Sequence, residues 1–167
     1  GSMDWTDYIA LDKSNSYGDY PYWNDTSPTA SVFSIGSDGD VNQSTGTYIA
    51  YCFHSVEGYS KVGSYVGNGN ADGTFIYTGF KPAFVMIKDT TTTATNWTVI
   101  DTVRNEYNVA GKELYPNEPD AEADYGRIDI VSNGFKNRIV GNYGNSSGDT
   151  YIYIAFAESP FKYSNAR

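Results

Sequence analysis

The sequence predicts an all-β protein, an antiparallel β-sandwich or barrel, on two observations. The first is a succession of short runs rich in Val, Ile, Phe, Tyr and Thr, spaced roughly ten residues apart and separated by Gly, Asn and Ser. The second is that the chain nearly repeats itself. Residues 47–53 read TYIAYCF and residues 150–156 read TYIYIAF, and the match continues outward. Asn42 precedes the first run as Asn145 precedes the second. Glu57 to Lys61 answers Glu158 to Lys162 two residues out of step, Trp5-Thr6 resembles Trp97-Thr98, and Tyr20-Pro21 resembles Tyr115-Pro116. A self-match in conserved order marks a repeated structural unit. The copies are unequal, because the opening segment of the second, GTFIYTGFKPAFVMIK (73–88), has no counterpart ahead of Trp5. The expectation is one partial unit (4–63) and one complete unit (64–167) packed as one body, with the chain starting inside a repeat. Gly1-Ser2 reads as an expression scar.

The expected strands follow in order. Ser31 to Ile35 is β-branched and closed by Gly36-Ser37-Asp38-Gly39. Thr47 to Phe53 is a compact apolar run. Ser64-Tyr65-Val66 is either a strand or part of a Gly-rich linker, GSYVGNGNADG (63–73). Thr74 to Tyr77 ends at Gly79, and Ala83 to Lys88 is the most apolar run in the chain and reads as a central strand. Trp97 to Ile100 follows a Thr-rich loop. Residues 101–115 hold helical spacing at Val103, Tyr107, Ala110 and Leu114, but Asn105, Asn108 and Gly111 interrupt it, so an irregular loop or single turn is expected. Arg127 to Val131 alternates before the turn Ser132-Asn133-Gly134, and Phe135 to Val140 and Tyr151 to Ala157 complete the set. Phe84, Met86, Ile154 and Phe156 are expected in the core. Cys52, the single cysteine, excludes an intrachain disulfide, and its apolar run predicts a buried inert thiol.

With 20 acidic against 11 basic residues, the formal charge of −9 argues against nucleic acid and against an anionic membrane surface as partners. No apolar stretch approaches the roughly 20 residues of a membrane-spanning helix.

Asp38, Asp40 and Asn42 place oxygens at alternate positions as calcium loops do, but Gln43 stands where the loop needs Gly and Ile49 where it needs Glu. A hairpin turn accounts for them equally, and neither a metal nor a cofactor is expected. His54, the sole histidine, carries no flanking motif and reads as a strand-end residue. Asp120 and Glu122 are the carboxylates a glycosidase would need, on a loop whose acidity is commonplace. Tyr17, Tyr20, Tyr22 and Trp23 cluster in a Gly/Asp/Asn-rich segment, which suits sugar binding by stacking, or packing against the body or a partner subunit. Sixteen tyrosines fit half-buried strands as well as a binding surface.

The strings GFKPAFVMIK, NWTVIDTVRNEYN, LYPN, SNGFK and SSGDTYIYIAFAESPFKY, in this order, resemble a tandem domain of uncharacterised function found in tail and tail-fibre proteins of tailed, often marine, bacteriophages. SPTASVFSIGSDGDVNQSTGTYIAYCFHSVEGYSKVGSY is similar to the tail half of the preceding repeat, although His54 stands where an Ala-Glu pairing would be expected. The resemblance implies a β-sandwich of jelly-roll or lectin-like type and a non-enzymatic virion component, extracellular when functional. Its implied partners are other tail subunits and a host-surface glycan or receptor. A carbohydrate-binding module of a secreted bacterial protein is the alternative, and a glycan depolymerase a third. Because the first copy lacks an equivalent of Ala83 to Lys88, its exposed edge is expected to be covered by the second copy or by a neighbouring subunit, as in a homotrimer.

Overall fold

Ten strands and two short helical turns order the chain in this structure, a computed structural model that describes residues 3–141 and 143–161. Lys162 and the rest of the expected unit to 167 lie outside the described residues. A two-residue ladder joins β1 (Asp7–Tyr8) to β2 (Gly18–Asp19) and is followed by a 3-10 turn at Pro21–Trp23 and a single helical turn, α1 (Gly39–Asn42). The body is an eight-stranded antiparallel sheet of β3 (Ser60–Val66), β4 (Phe75–Tyr77), β5 (Pro82–Asp89), β6 (Thr98–Asp101), β7 (Ala110–Leu114), β8 (Ala123–Val131), β9 (Gly134–Asn137) and β10 (Thr150–Ala157). Its order is β3-β10-β5-β6-β7-β8-β9-β4.

The sheet curls almost into a barrel. β3 is the first strand in that order and β9 the last but one, yet the Tyr65 and Phe135 rings they carry meet edge to face at 6.3 Å. The two edges are tied directly, since the Thr74 hydroxyl just before β4 donates to the Val66 carbonyl at the end of β3 at 2.9 Å. One face of every body strand points inward, and Ile76, Val85, Ile87, Ile100, Ile128, Ile130, Phe135, Tyr151 and Tyr153 fill the interior. An eight-stranded barrel leaves an interior just wide enough for side chains, so Ala155 and Ala157 take positions that larger residues would overfill.

That inward face corrects the expected core. Phe84, Met86, Ile154 and Phe156 are only half-buried, while Val85, Ile87, Tyr153 and Ala155 between them are enclosed. Both faces of β5 and β10 are apolar, so hydrophobicity cannot set the phase of the alternation. On the outer face Phe156 meets Phe84 at 5.9 Å, Tyr59 at 5.9 Å and Phe53 at 6.1 Å, a second aromatic layer.

Several expected elements differ. Ser31 to Ile35 and Thr47 to Phe53 form no strand, and Cys52 is exposed rather than buried. Residues 42–55 are exposed throughout, and no backbone group of residues 47–53 has a hydrogen-bond partner among the described residues. A strand needs neighbours, and among the described residues none pairs with this run. Part of the segment expected as an irregular loop or single turn is β7, because Asn105 caps its bend: the Asn105 carboxamide oxygen accepts from Gly111 and Lys112 N–H at 2.9 and 2.8 Å. The boundary expected at 63/64 falls inside β3, whose register with β10 runs unbroken from Val66↔Thr150 to Ser60↔Phe156.

The GNGNADG loop is pinned rather than free. Buried Asn145 donates its Nδ2 to the Asn70 carbonyl at 2.7 Å and to Asn68 Oδ1 at 2.9 Å, and its Oδ1 accepts from Asn68 N–H at 3.0 Å. Gly67 makes the closure possible, since a Cβ there would lie 2.1 Å from the Ser146 carbonyl oxygen. The N-terminal segment lies across the same body. Buried Trp97 donates its indole N–H to the Ala10 carbonyl at 2.9 Å, and Thr95 N–H bonds Ser14 O at 3.2 Å.

At the end of β5 the buried Lys88 ammonium donates to the Asp89 carbonyl at 2.7 Å and the Thr95 hydroxyl at 3.0 Å. Burial pushes its pKa down from 10.5 to about 8. Folded Lys88 therefore releases its proton near pH 8, whereas an unfolded lysine holds it to about 10.4, so the unfolded state binds more protons in between. This group's contribution to stability rises with pH across that window. The stability of wild type minus that of Lys88→Met, measured in urea from pH 7 to 10, is expected to increase with pH. A flat difference would refute the assignment.

Candidate functional site

A groove of about 1120 Å³ opens on the N-terminal part of the chain. Trp5, Trp23, Phe33 and Ile35 line one part of it, and the run from Tyr48 to Phe53 lines the other. Ile49 is 78 % exposed and Tyr51 80 %, so the surface is apolar and unpartnered in the single chain. An apolar surface of this extent marks an interaction site more often than an incidental feature.

An aromatic row adjoins the groove and enters it at Trp23. Tyr8, Tyr20 and Tyr22 pack ring against ring, with centroids 4.7 Å apart for Tyr8 and Tyr22 and 4.9 Å for Tyr20 and Tyr22. Trp23 continues the row to Phe33 at 6.3 Å and donates its indole N–H to the Asp7 carbonyl at 3.1 Å. Gly36 N–H bonds the Tyr22 carbonyl at 2.6 Å, which holds the 31–36 segment against the row.

The sequence-predicted site residues divide. Trp23 lines the groove, whereas Tyr17, Tyr20 and Tyr22 lie outside it. The Tyr22 hydroxyl donates to Asp40 Oδ2 at 2.7 Å, and that bond raises its pKa. Tyr17 N–H bonds the Thr90 carbonyl at 3.1 Å, which fixes that part of the segment against the body. Tyr20 keeps an exposed face. The alternating oxygens of Asp38, Asp40 and Asn42 serve α1 and its surroundings: Asp38 Oδ1 caps the turn by accepting from Asp40 N–H at 2.8 Å, and Asn42 Nδ2 donates to the Gly36 carbonyl at 2.8 Å. These carboxylates do not converge on one point, and the described residues hold no cluster of His, Cys, Asp and Glu arranged for a metal ion. His54 is exposed, with Nδ1 3.0 Å from the Ser55 carbonyl oxygen. Glu122 pairs with Arg104 at 3.2 Å, and Asp120 is exposed on the loop before β8.

The groove residues that sequence reasoning missed are Trp5, Phe33, Tyr48, Ile49, Tyr51 and Phe53. The last four were legible as an apolar run, and apolar runs ordinarily enter the sheet.

A family model described as a domain of unknown function, DUF7483, matches residues 1–160. The chain belongs to this family. No curated protein and no solved structure matches it. The DUF7483 match takes in the groove segment as well as the barrel-like body, so both are parts of the family's domain.

Proposed function

We propose that this DUF7483 chain is a non-enzymatic structural and adhesive module of a bacteriophage tail or tail fibre. The observation that carries the reading is the unpartnered aromatic and aliphatic face on an otherwise well-packed body. A protein with such a face works by being covered, by a neighbouring subunit or by a ligand. The order of motifs along the chain, which resembles that of phage tail repeats, supplies the setting. The near-repeat of residues 47–53 and 150–156 fits a unit used in series. The finer architecture of this reading, a partial copy followed by a complete one, belongs to the same proposal. A host-surface glycan is the second partner, favoured by the exposed face of Tyr20 and by the groove-lining Trp23 indole.

Immunogold labelling of phage particles that encode the domain is expected to mark the tail, and label confined to the capsid would overturn the reading. On a bacterial glycan array, signal that disappears in Trp23→Ala would support the adhesive role. Release of reducing ends from a bound polysaccharide would replace it with a depolymerase.

A further inference from the structure

We propose that residues 47–53 are the acceptor for a β-strand of the same chemistry as β5, an Ala-Phe-Val-Met-Ile-Lys type of strand supplied by an adjacent repeat of the assembly. The proposal rests on the reading of the chain as a unit used in series. The template lies within the molecule. β10, which has Thr, Tyr, Ile and Phe at the same four places as residues 47–53, pairs with β3 on one side and β5 on the other. The first run has the sequence of a doubly flanked strand and no flanking strand at all. Its backbone groups have no partner among the described residues, and its outward-type side chains, Ile49, Tyr51 and Phe53, are 78, 80 and 62 % exposed.

Strand addition answers both deficits together. It satisfies the backbone N–H and C=O row and covers alternate side chains in one step. The location fits as well. Phe53 already touches Phe156 on the outer face of the body, and three residues after the run Val56 begins a bridge to Ser60 that leads directly into β3. An added strand would extend the surface next to the existing sheet and fill the groove lined by Trp23 and Phe33.

The register follows from β10. Ala155 faces Val85 and Ile154 faces Met86 across the β10–β5 pair. Cys52 stands where Ala155 does, and Tyr51 where Ile154 does. In the complex Cys52 therefore lies opposite the Val85 position of the incoming strand. Directly opposed residues on an antiparallel pair come within disulfide reach, whereas the next residue points to the other face.

This makes the single cysteine a register probe. Peptides with the sequence of residues 80–90, carrying cysteine in place of either Val85 or Met86 and activated as aromatic mixed disulfides, are added to the full chain. Cys52 attacks the activated sulfur and releases the aromatic thiol, whose absorbance gives the rate. Coupling is expected to be several-fold faster for the peptide with cysteine at the Val85 position. The unmodified peptide is expected to protect the amides of residues 47–53 from hydrogen exchange. Tyr51→Pro, which removes a ladder donor from a segment outside the barrel, is expected to abolish protection and leave the melting temperature of the free chain unchanged. Equal coupling of the two peptides, equal protection by a scrambled peptide, or a chain that covers this run by dimerising alone would each overturn the proposal. None of these outcomes depends on where the domain sits on the virion, so the proposal fails separately from the tail assignment.

Discussion

Arg127→Ala is expected to destabilise the chain by about 3–5 kcal/mol, among the largest losses available to a single substitution. Glu113 on β7 is fully buried, and Arg127 on β8 has only 8 % of its side chain exposed. The guanidinium holds the carboxylate with two prongs, Nε to Oε2 and Nη2 to Oε1, the latter at 2.6 Å. The Tyr115 hydroxyl donates to the same Oε1. The guanidinium also lies 4.7 Å from the Tyr125 ring centroid and 4.6 Å from that of Tyr143. Removing the arginine strands a carboxylate with no counter-charge where water cannot replace it, and that desolvation dominates the loss. Arg127→Lys keeps the charge but loses the second prong and the flat stacking surface, so a smaller but clear loss is expected. The double variant Glu113→Gln/Arg127→Met removes both charges and is expected to be less damaging than Arg127→Ala. Urea titration measures all three. A loss under about 1 kcal/mol for Arg127→Ala, or a double variant more damaging than Arg127→Ala, would show that the pair does not act as a buried unit.

Phe135→Ala is expected to cost about 3–5 kcal/mol, and Phe84→Ala only about 1–2 kcal/mol. Phe135 has no exposed surface and sits where the sheet curls shut, 6.3 Å from Tyr65 on β3 and 5.5 Å from Tyr153 on β10. Its removal leaves a cavity bounded by strands from both ends of the sheet order, with little freedom to collapse. Phe84 lies on the outer face, where the half-exposed aromatic layer can shift to cover the gap. The contrast tests the phase of the whole sheet, because a one-residue slip would exchange the two faces. Equal losses in denaturant titration would mean that the inward face has been assigned wrongly.

Much of the body was legible because its strands are local objects. β5 and β10 announce themselves by apolar runs between turn residues, and the β8–β9 hairpin by Ser132-Asn133-Gly134. Gly134 is required there, since a Cβ would lie 2.0 Å from the Ile76 carbonyl oxygen of β4. Of the site, Trp23 was legible from its place in an aromatic, amide-rich segment. The role of residues 47–53 was not, because the same composition serves a paired strand in β10 and an unpaired surface run here.

The sequence by itself determined that the protein is built from short antiparallel strands, that it carries a near-repeat, and that aromatic side chains gather near residue 23. Strand propensity, turn chemistry and alternation act over a few residues and leave their mark in the order of the letters. The tertiary structure alone decided three matters. It closed eight strands into a barrel-like sheet, it chose Val85 and Ile87 over Phe84 and Met86 for the interior, and it left the first of two similar runs exposed. Each depends on which segments become neighbours. A strand acquires an inside, or a partner, only from chain that is distant in sequence, so similar local chemistry yields a core strand at 150–157 and an open apolar run at 47–53.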